Sequence, residues 1–136
     1  MLKICVCGSS KFKELIYDVC DGLQNNGFIV LQPPLHNINS LSSDCNEEGK
    51  LLMWKGATFA HMYRINVSDI CLFVNPNGYM GISSTLELGY AIAKEKLIYA
   101  LRDDSELARQ STFFKVINSE YPEEIVDYFL NLRGEK

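Results

Sequence analysis

The chain has 136 residues, of which 47% are hydrophobic and 22% charged, and its formal net charge at pH 7 is −4. This length and composition predict one globular domain over residues 1–136, with enough chain to bury a single core. The negative charge argues against a nucleic-acid polymer or an anionic membrane surface as the partner, and no apolar stretch is long enough to span a bilayer.

The five cysteines are scattered along the chain and include no Cys-x-x-Cys pair. We therefore predict reduced, mostly buried thiols in a cytoplasmic protein, with an N-terminal strand in place of a signal peptide. Cys5 and Cys7 alternate along that strand and should point to the same face of the sheet. Cys45, His36 and His61 lack the spacing of a metal site, so we predict neither a metal ion nor a cofactor.

The first predicted elements form a strand–helix–strand unit. A strand over 3–7 stops at Gly8-Ser9-Ser10, a helix covers 12–25, and a second strand covers 28–31. Two strands joined in this way pair in parallel through a right-handed crossover.

The remaining elements continue this alternation of strands and helices. In chain order, the pattern predicts a polar loop over 36–46, a helix over 47–66, a strand over 70–74, a helix over 85–95, strands over 97–101 and 113–117, and a last helix from Pro122 to about Arg133. This order favours a three-layer α/β sandwich of the flavodoxin-like or Rossmann-like type, with a mostly parallel sheet of four or five strands.

The turn after the first strand carries features that a ligand could use. Gly8 lets the backbone turn closely, Ser9 and Ser10 offer hydroxyl groups, and Lys11 adds a positive charge at the start of a helix. These residues suit a phosphate or a polar sugar. The alternative is an ordinary strand-to-helix connection with a serine N-cap.

The turn after the third strand carries the other candidate group, the carboxylate of Glu87. Ser84 and Glu87 fit a capping box, in which Ser84 is the N-cap and Glu87 reaches back to its backbone N–H. The same position, in the predicted first turn of a helix beyond the carboxyl end of a strand, also suits a nucleophile, because a helix N-terminus favours an ionised carboxylate. The residues alone leave both interpretations open.

The motifs together resemble the nucleoside 2-deoxyribosyltransferase family, whose superfamily includes nucleoside 5′-monophosphate N-glycosidases. The resemblance covers residues 3–101 and is carried by Gly8-Ser9-Ser10, Ser68-Asp69, the segments 78–81 and 84–91, and Lys96-Leu97-Ile98. It implies that Glu87 attacks the anomeric carbon of the sugar, and that the resulting glycosyl-enzyme passes its sugar to water or to another base.

The resemblance also implies roles for other positions. His61 stands on the second long helix where the family usually has an acid that protonates the departing base, and histidine can transfer protons near neutral pH. The predicted substrate-binding residues are Gly8, Ser9, Ser10, Lys11, Arg64, Asn75, Gly78, Tyr79, Gly81 and Ser84. Arg64 is among them because helical spacing puts it on nearly the same face as His61, where it could meet a phosphate. The alternatives are a buried structural histidine at position 61, an ordinary loop aromatic at Tyr79, and a purely structural Asp69 at the entrance of its strand.

Two functions follow as hypotheses from the resemblance. The first is a hydrolase or 2-deoxyribosyltransferase that cleaves the (deoxy)ribosyl–base bond with Glu87 as nucleophile. The second is a catalytically inactive nucleotide-binding sensor that uses the same pocket. Both imply a small-molecule nucleoside or nucleotide as partner, and the family implies a homodimer or a higher homo-oligomer.

Overall fold

The computed structural model describes residues 2–34 and 38–134, so His36 lies outside the described residues. Five parallel strands form one sheet in the order β2-β1-β3-β4-β5. The strands are β1 (Lys3–Gly8), β2 (Ile29–Leu31), β3 (Ile70–Val74), β4 (Leu97–Ala100) and β5 (Lys115–Val116). The helices are α1 (Lys13–Asn25), α2 (Ile38–Leu41), α3 (Glu47–Val67), α4 (Ile82–Ala93), α5 (Leu107–Gln110) and α6 (Pro122–Leu132).

Helices cover both faces of the sheet, which confirms the predicted three-layer α/β fold. One face packs against α1 and α6, and we call it the α1/α6 face. Its buried side chains are almost all aliphatic or aromatic, among them Ile4, Val6, Leu72, Tyr99 and Phe129. The other face, the α3/α4 face, packs against α3 and α4 and includes Cys5, Cys7, Cys71, Ile65 and Leu88.

The strand order creates a crevice between β1 and β3. These two strands are hydrogen-bonded neighbours, but the chain leaves β1 into α1 on one face of the sheet and leaves β3 toward α4 on the other. At such a point the helices diverge beyond the carboxyl ends of the strands and leave room for a ligand. The topology alone therefore indicates a ligand site at the turns that follow Gly8 and Val74.

Three predicted elements differ from the observed ones by more than one residue at a boundary. Helix α4 begins at Ile82 and not at residue 85, because Gly81 in an extended conformation is the N-cap. The predicted loop over 36–46 contains the short helix α2. Strand β5 has only two residues in place of five, although the backbone N–H groups of Phe114 and Ile117 extend its hydrogen bonding to β4.

Within residues 2–34 and 38–134, no helix combines the length and the apolar character needed to cross a membrane.

Candidate active site

A cavity of about 530 Å³ opens at the carboxyl ends of β1 and β3. It is bounded by the turns after these strands, by the segment after β2 and by one side of α3. The lining residues are Gly8, Ser9, Ser10, Pro33, Pro34, Ile38, Trp54, Ala57, Thr58, Tyr79, Met80, Gly81, Ile82, Ser83, Ser84 and Glu87. The two turns that stand far apart in the sequence thus contribute to one cavity.

Glu87 is half-buried in the wall of this cavity and is the sixth residue of α4. It is too far along the helix to reach the N-cap, and the N-cap Gly81 has no side chain, so the capping-box interpretation is wrong. The expectation that the helix N-terminus stabilises the ionised carboxylate is also wrong, because that effect falls off after the first turn. Burial instead raises the pKa of the Glu87 carboxyl to about 8.

The first turn of α4 presents backbone donors to the cavity. The first intrahelical hydrogen bond runs from the N–H of Thr85 to the carbonyl of Gly81, at 3.0 Å. The N–H groups of the three preceding residues, Ile82, Ser83 and Ser84, therefore have no acceptor within the helix. Because all three residues line the cavity, this helix end can accept an anionic or hydroxyl-bearing group.

The turn after β1 needs its glycine. A Cβ at Gly8 would lie 3.0 Å from the side chain of Ile16 and 3.1 Å from the carbonyl oxygen of Val74, so a larger residue would push β1 and β3 apart. Ser9 caps the following turn, since its Oγ accepts a hydrogen bond from the backbone N–H of Lys11 at 3.2 Å. The N-cap interpretation is therefore correct, and Ser9 still lines the cavity.

Lys11 and Tyr79 meet at the rim. The Nζ of Lys11 lies 4.3 Å from the centroid of the Tyr79 ring, and Tyr79 also packs edge-on against Phe12. Tyr79 lines the cavity, whereas Lys11 does not. The ammonium group is thus held beside the cavity by an aromatic ring.

One wall of the cavity is apolar and was not predicted from the sequence. Pro33 and Pro34 end β2, Ile38 begins α2, and Trp54 projects from α3. The indole N–H of Trp54 donates to Oδ1 of Asn39 at 3.2 Å, which fixes the ring. In the sequence, this wall was indicated by the pair Pro33-Pro34, which follows a strand at the edge of the sheet where ligands bind.

Asn75 and Gly78 shape the loop after β3 and do not line the cavity. The Asn75 Oδ1 accepts hydrogen bonds from the backbone N–H groups of Leu101 and Arg102, at 2.9 and 3.1 Å. Gly78 adopts φ +79°, and a Cβ there would approach the carbonyl oxygen of Asp103 to 2.5 Å. Both residues therefore join the β3 loop to the β4 loop.

Asp69 lies at the opposite edge of the sheet from the cavity. Its backbone N–H donates to the carbonyl of Lys3 at 2.9 Å, and its Oδ2 accepts the N–H of Lys3 at 2.8 Å. It therefore ties β3 to β1 at the strand entrance, as its structural interpretation predicts.

His61 is fully buried and does not line the cavity. Its Nε2 lies 3.7 Å from the Cys5 thiol and 3.4 Å from the Cys7 thiol. Burial, and then the nearby charge of Arg64, lower the pKa of His61 to about 4, so the imidazole is neutral at pH 7. Arg64 does not line the cavity either. Among the described lining residues, Glu87 contributes the one carboxylate.

No protein-family model matches the sequence, and no curated protein matches it. Solved structures do resemble the fold. A 2-deoxyribosyltransferase from Bacillus psychrosaccharolyticus is 15% identical with a TM-score of 0.59, over 90% of each chain. The CMP N-glycosidase BcmB from Clostridium botulinum is 16% identical with a TM-score of 0.57, over 96% of this chain and 98% of that one. The chain therefore shares the fold of these two proteins, which is the fold that the sequence resemblance implied.

Proposed function

We propose that the protein cleaves the N-glycosidic bond of a nucleoside or nucleotide and transfers the sugar to water or to another base, with Glu87 as nucleophile. The observation that carries this proposal is that Glu87 lines the same cavity as Ser9, Ser10 and the first turn of α4. Two proteins of the same fold support it, since one is a 2-deoxyribosyltransferase and the other a CMP N-glycosidase.

The cavity lining combines two kinds of chemistry. Four serines line the cavity: Ser9 and Ser10 after β1, and Ser83 and Ser84 in the first turn of α4. Their hydroxyl groups, together with the free N–H groups of that turn, suit the sugar hydroxyls or a 5′-phosphate. The apolar wall around Trp54 suits the flat face of a base, because bases stack on aromatic rings. A nucleoside that contacts both kinds of group lies in the same cavity as Glu87.

The reaction proceeds by substitution at the anomeric carbon. A Glu87 oxygen forms a bond to C1′, and the C1′–N bond breaks with its electron pair going to the base. Water or a second base then attacks C1′ and releases the carboxylate. The departing base takes its proton from water, because the His61 imidazole is buried and does not line the cavity.

A nucleotide-binding sensor is the second candidate, and one observation favours it. With a pKa of about 8, Glu87 is mostly protonated at pH 7 in the free protein, and a protonated carboxyl is a poor nucleophile. A sensor would bind nucleotides in the cavity without releasing a base.

The two candidates are separated by measuring free base from a panel of ribonucleosides, deoxyribonucleosides and their 5′-monophosphates. We expect base release from at least one member, and a loss of about a thousandfold or more in Glu87→Gln. Glu14→Gln is the matched control, since Glu14 is exposed in the first turn of α1 and does not line the cavity. Nucleotides that raise the melting temperature with no base released would establish the sensor.

We also propose that the protein is a homodimer or a higher homo-oligomer that uses the outer surface of α3 and α4. Large apolar side chains there are well exposed, with 62% of Phe59, 67% of Tyr63, 84% of Ile82 and 59% of Leu86 accessible. Ile82 also lines the cavity, so a second copy would close its rim. Light scattering of Tyr63→Glu and of the wild type would test this, and a monomeric wild type would refute it.

The five cysteines are free in the structure, which fits the cytoplasmic location that we propose.

A further inference from the structure

Three potential metal ligands meet on the α3/α4 face of the sheet. The thiols of Cys5 and Cys7 and an imidazole nitrogen of His61 all lie within 4.8 Å of one another, and we call these residues the thiol–imidazole cluster. All three side chains are fully buried. We propose that the thiol–imidazole cluster binds a Zn²⁺ ion that fastens β1 to α3.

The distances are those of a tetrahedral site before the ion enters. Zinc binds sulfur at about 2.3 Å and histidine nitrogen at about 2.0–2.1 Å, so the sulfur–nitrogen edge of a tetrahedron is about 3.6 Å. The two observed distances from His61 Nε2, 3.7 Å to Cys5 and 3.4 Å to Cys7, bracket that edge. The ligands therefore need little movement to bind the ion.

Cys71 is the candidate for a fourth ligand. It pairs with Cys5 in the register of β3 with β1, and it lies outside the group of three ligands that are within 4.8 Å of one another, so its thiol has to move toward the ion. Three cysteines and one histidine form a common structural zinc site. We therefore assign the fourth position to Cys71.

The surrounding charge suits such a site. Zinc with three thiolates and one neutral imidazole carries a net charge of −1. Arg64 lies one helical turn after His61 on α3, close enough for its charge to affect the imidazole. Its Nη1 is buried and has no hydrogen-bond partner within residues 2–34 and 38–134. A guanidinium group with an unpaired buried donor can stabilise a negatively charged metal site.

The composition of the two sheet faces adds an independent argument. On the α1/α6 face, β1 and β3 bury the aliphatic side chains Ile4, Val6 and Leu72. On the α3/α4 face the intervening positions on these strands bury Cys5, Cys7, Cys71 and Phe73. A core that needed only apolar packing would have no use for a buried histidine among three thiols.

The test uses Co²⁺ as a spectroscopic substitute for zinc. Reduced, chelator-treated protein is refolded with Co²⁺ and its absorption is recorded, because cobalt in a tetrahedral thiolate site gives thiolate-to-metal bands and strong d–d bands. We expect one cobalt ion per chain, displaced by Zn²⁺, and at least a hundredfold weaker binding in Cys7→Ser and His61→Asn. Cys45→Ser is the matched control, because Cys45 lies outside the cluster and should keep both bands.

Two results would overturn the proposal. One is the absence of thiolate bands in refolded wild-type protein, and the other is equal loss of the bands in Cys45→Ser. Should Cys7→Ser fail to fold, the zinc content of wild-type protein expressed with added zinc decides the question, and a content well below one ion per chain refutes the site. Unchanged cobalt affinity in Cys71→Ala would overturn the assignment of the fourth ligand.

Discussion

The two faces of strand β1 differ in chemistry although they belong to the same six residues. Ile4 and Val6 point to the α1/α6 face and join an apolar core, while Cys5 and Cys7 point to the α3/α4 face and contact His61. Glu87 and Trp54 also come from α4 and α3. The comparison teaches that one face of the sheet is packed almost entirely with apolar side chains, whereas the other combines apolar packing with thiols, an imidazole and the lining of the cavity.

The first prediction tests the stabilising face. Phe129 is fully buried and packs against the rings of Phe28, Tyr99 and Tyr128. We expect Phe129→Ala to lower the free energy of unfolding by about 3–5 kcal/mol, because it removes an aromatic side chain and leaves a cavity. Chemical denaturation measures this loss.

Ligand binding below the melting temperature should not change in Phe129→Ala, because α6 does not line the cavity. Weakened binding in a folded variant would show that the two faces are not separate in function.

The second prediction concerns the apolar wall of the cavity. Trp54 is 38% exposed and its ring is fixed by Asn39. We expect Trp54→Ala to raise KM about tenfold, since the stacking of one base is worth about 1–3 kcal/mol. Trp54→Phe is the control, because it keeps an aromatic ring but loses the hydrogen bond to Asn39. Equal losses in both variants would argue against stacking on the ring.

The third prediction follows from the raised pKa of Glu87. A nucleophilic carboxylate must be ionised, so kcat/KM of the free enzyme should rise with pH and level off above about 8. With that pKa, activity at pH 7 should be about tenfold below the plateau. A pH–rate profile with constant activity from pH 6 to 9 would contradict this.

The smallest expected effect is on the pH dependence of stability. Because the folded pKa of Glu87 lies above the unfolded value, the folded state binds its proton more tightly. The stabilising contribution of the neutral carboxyl is complete below pH 4.5 and is lost as the pH rises toward 8. Glu87→Gln should therefore unfold at a higher denaturant concentration than the wild type at pH 8.5, and at a similar one at pH 4.

Much of the fold could be predicted because its strands are short apolar runs separated by helices with a clear apolar stripe. The β3 prediction over 70–74 agrees with the structure residue for residue. The start of α4 could not be predicted, because Ser84 is a better N-cap by residue type than Gly81. That difference of three residues moved Glu87 out of the first turn and removed the capping box.

The candidate site was predictable where its residues follow the two strands. The end of β1 and the segments that follow β1 and β3 contain five residues that line the cavity, namely Gly8, Ser9, Tyr79, Ser84 and Glu87. Contacts that form only through tertiary packing could not be predicted from the sequence. His61 meets Cys5 and Cys7 across 56 and 54 positions of sequence, so no spacing motif indicates the thiol–imidazole cluster.

Capture of the glycosyl-enzyme tests the proposed nucleophile most directly. The protein is incubated with a 2′-deoxy-2′-fluoro nucleoside or its 5′-monophosphate, whose fluorine slows the release of the sugar, and its intact mass and peptide masses are measured. We predict one added fluorinated sugar per chain, attached to Glu87 and absent from Glu87→Gln. Base release with the sugar attached to another residue would contradict the account.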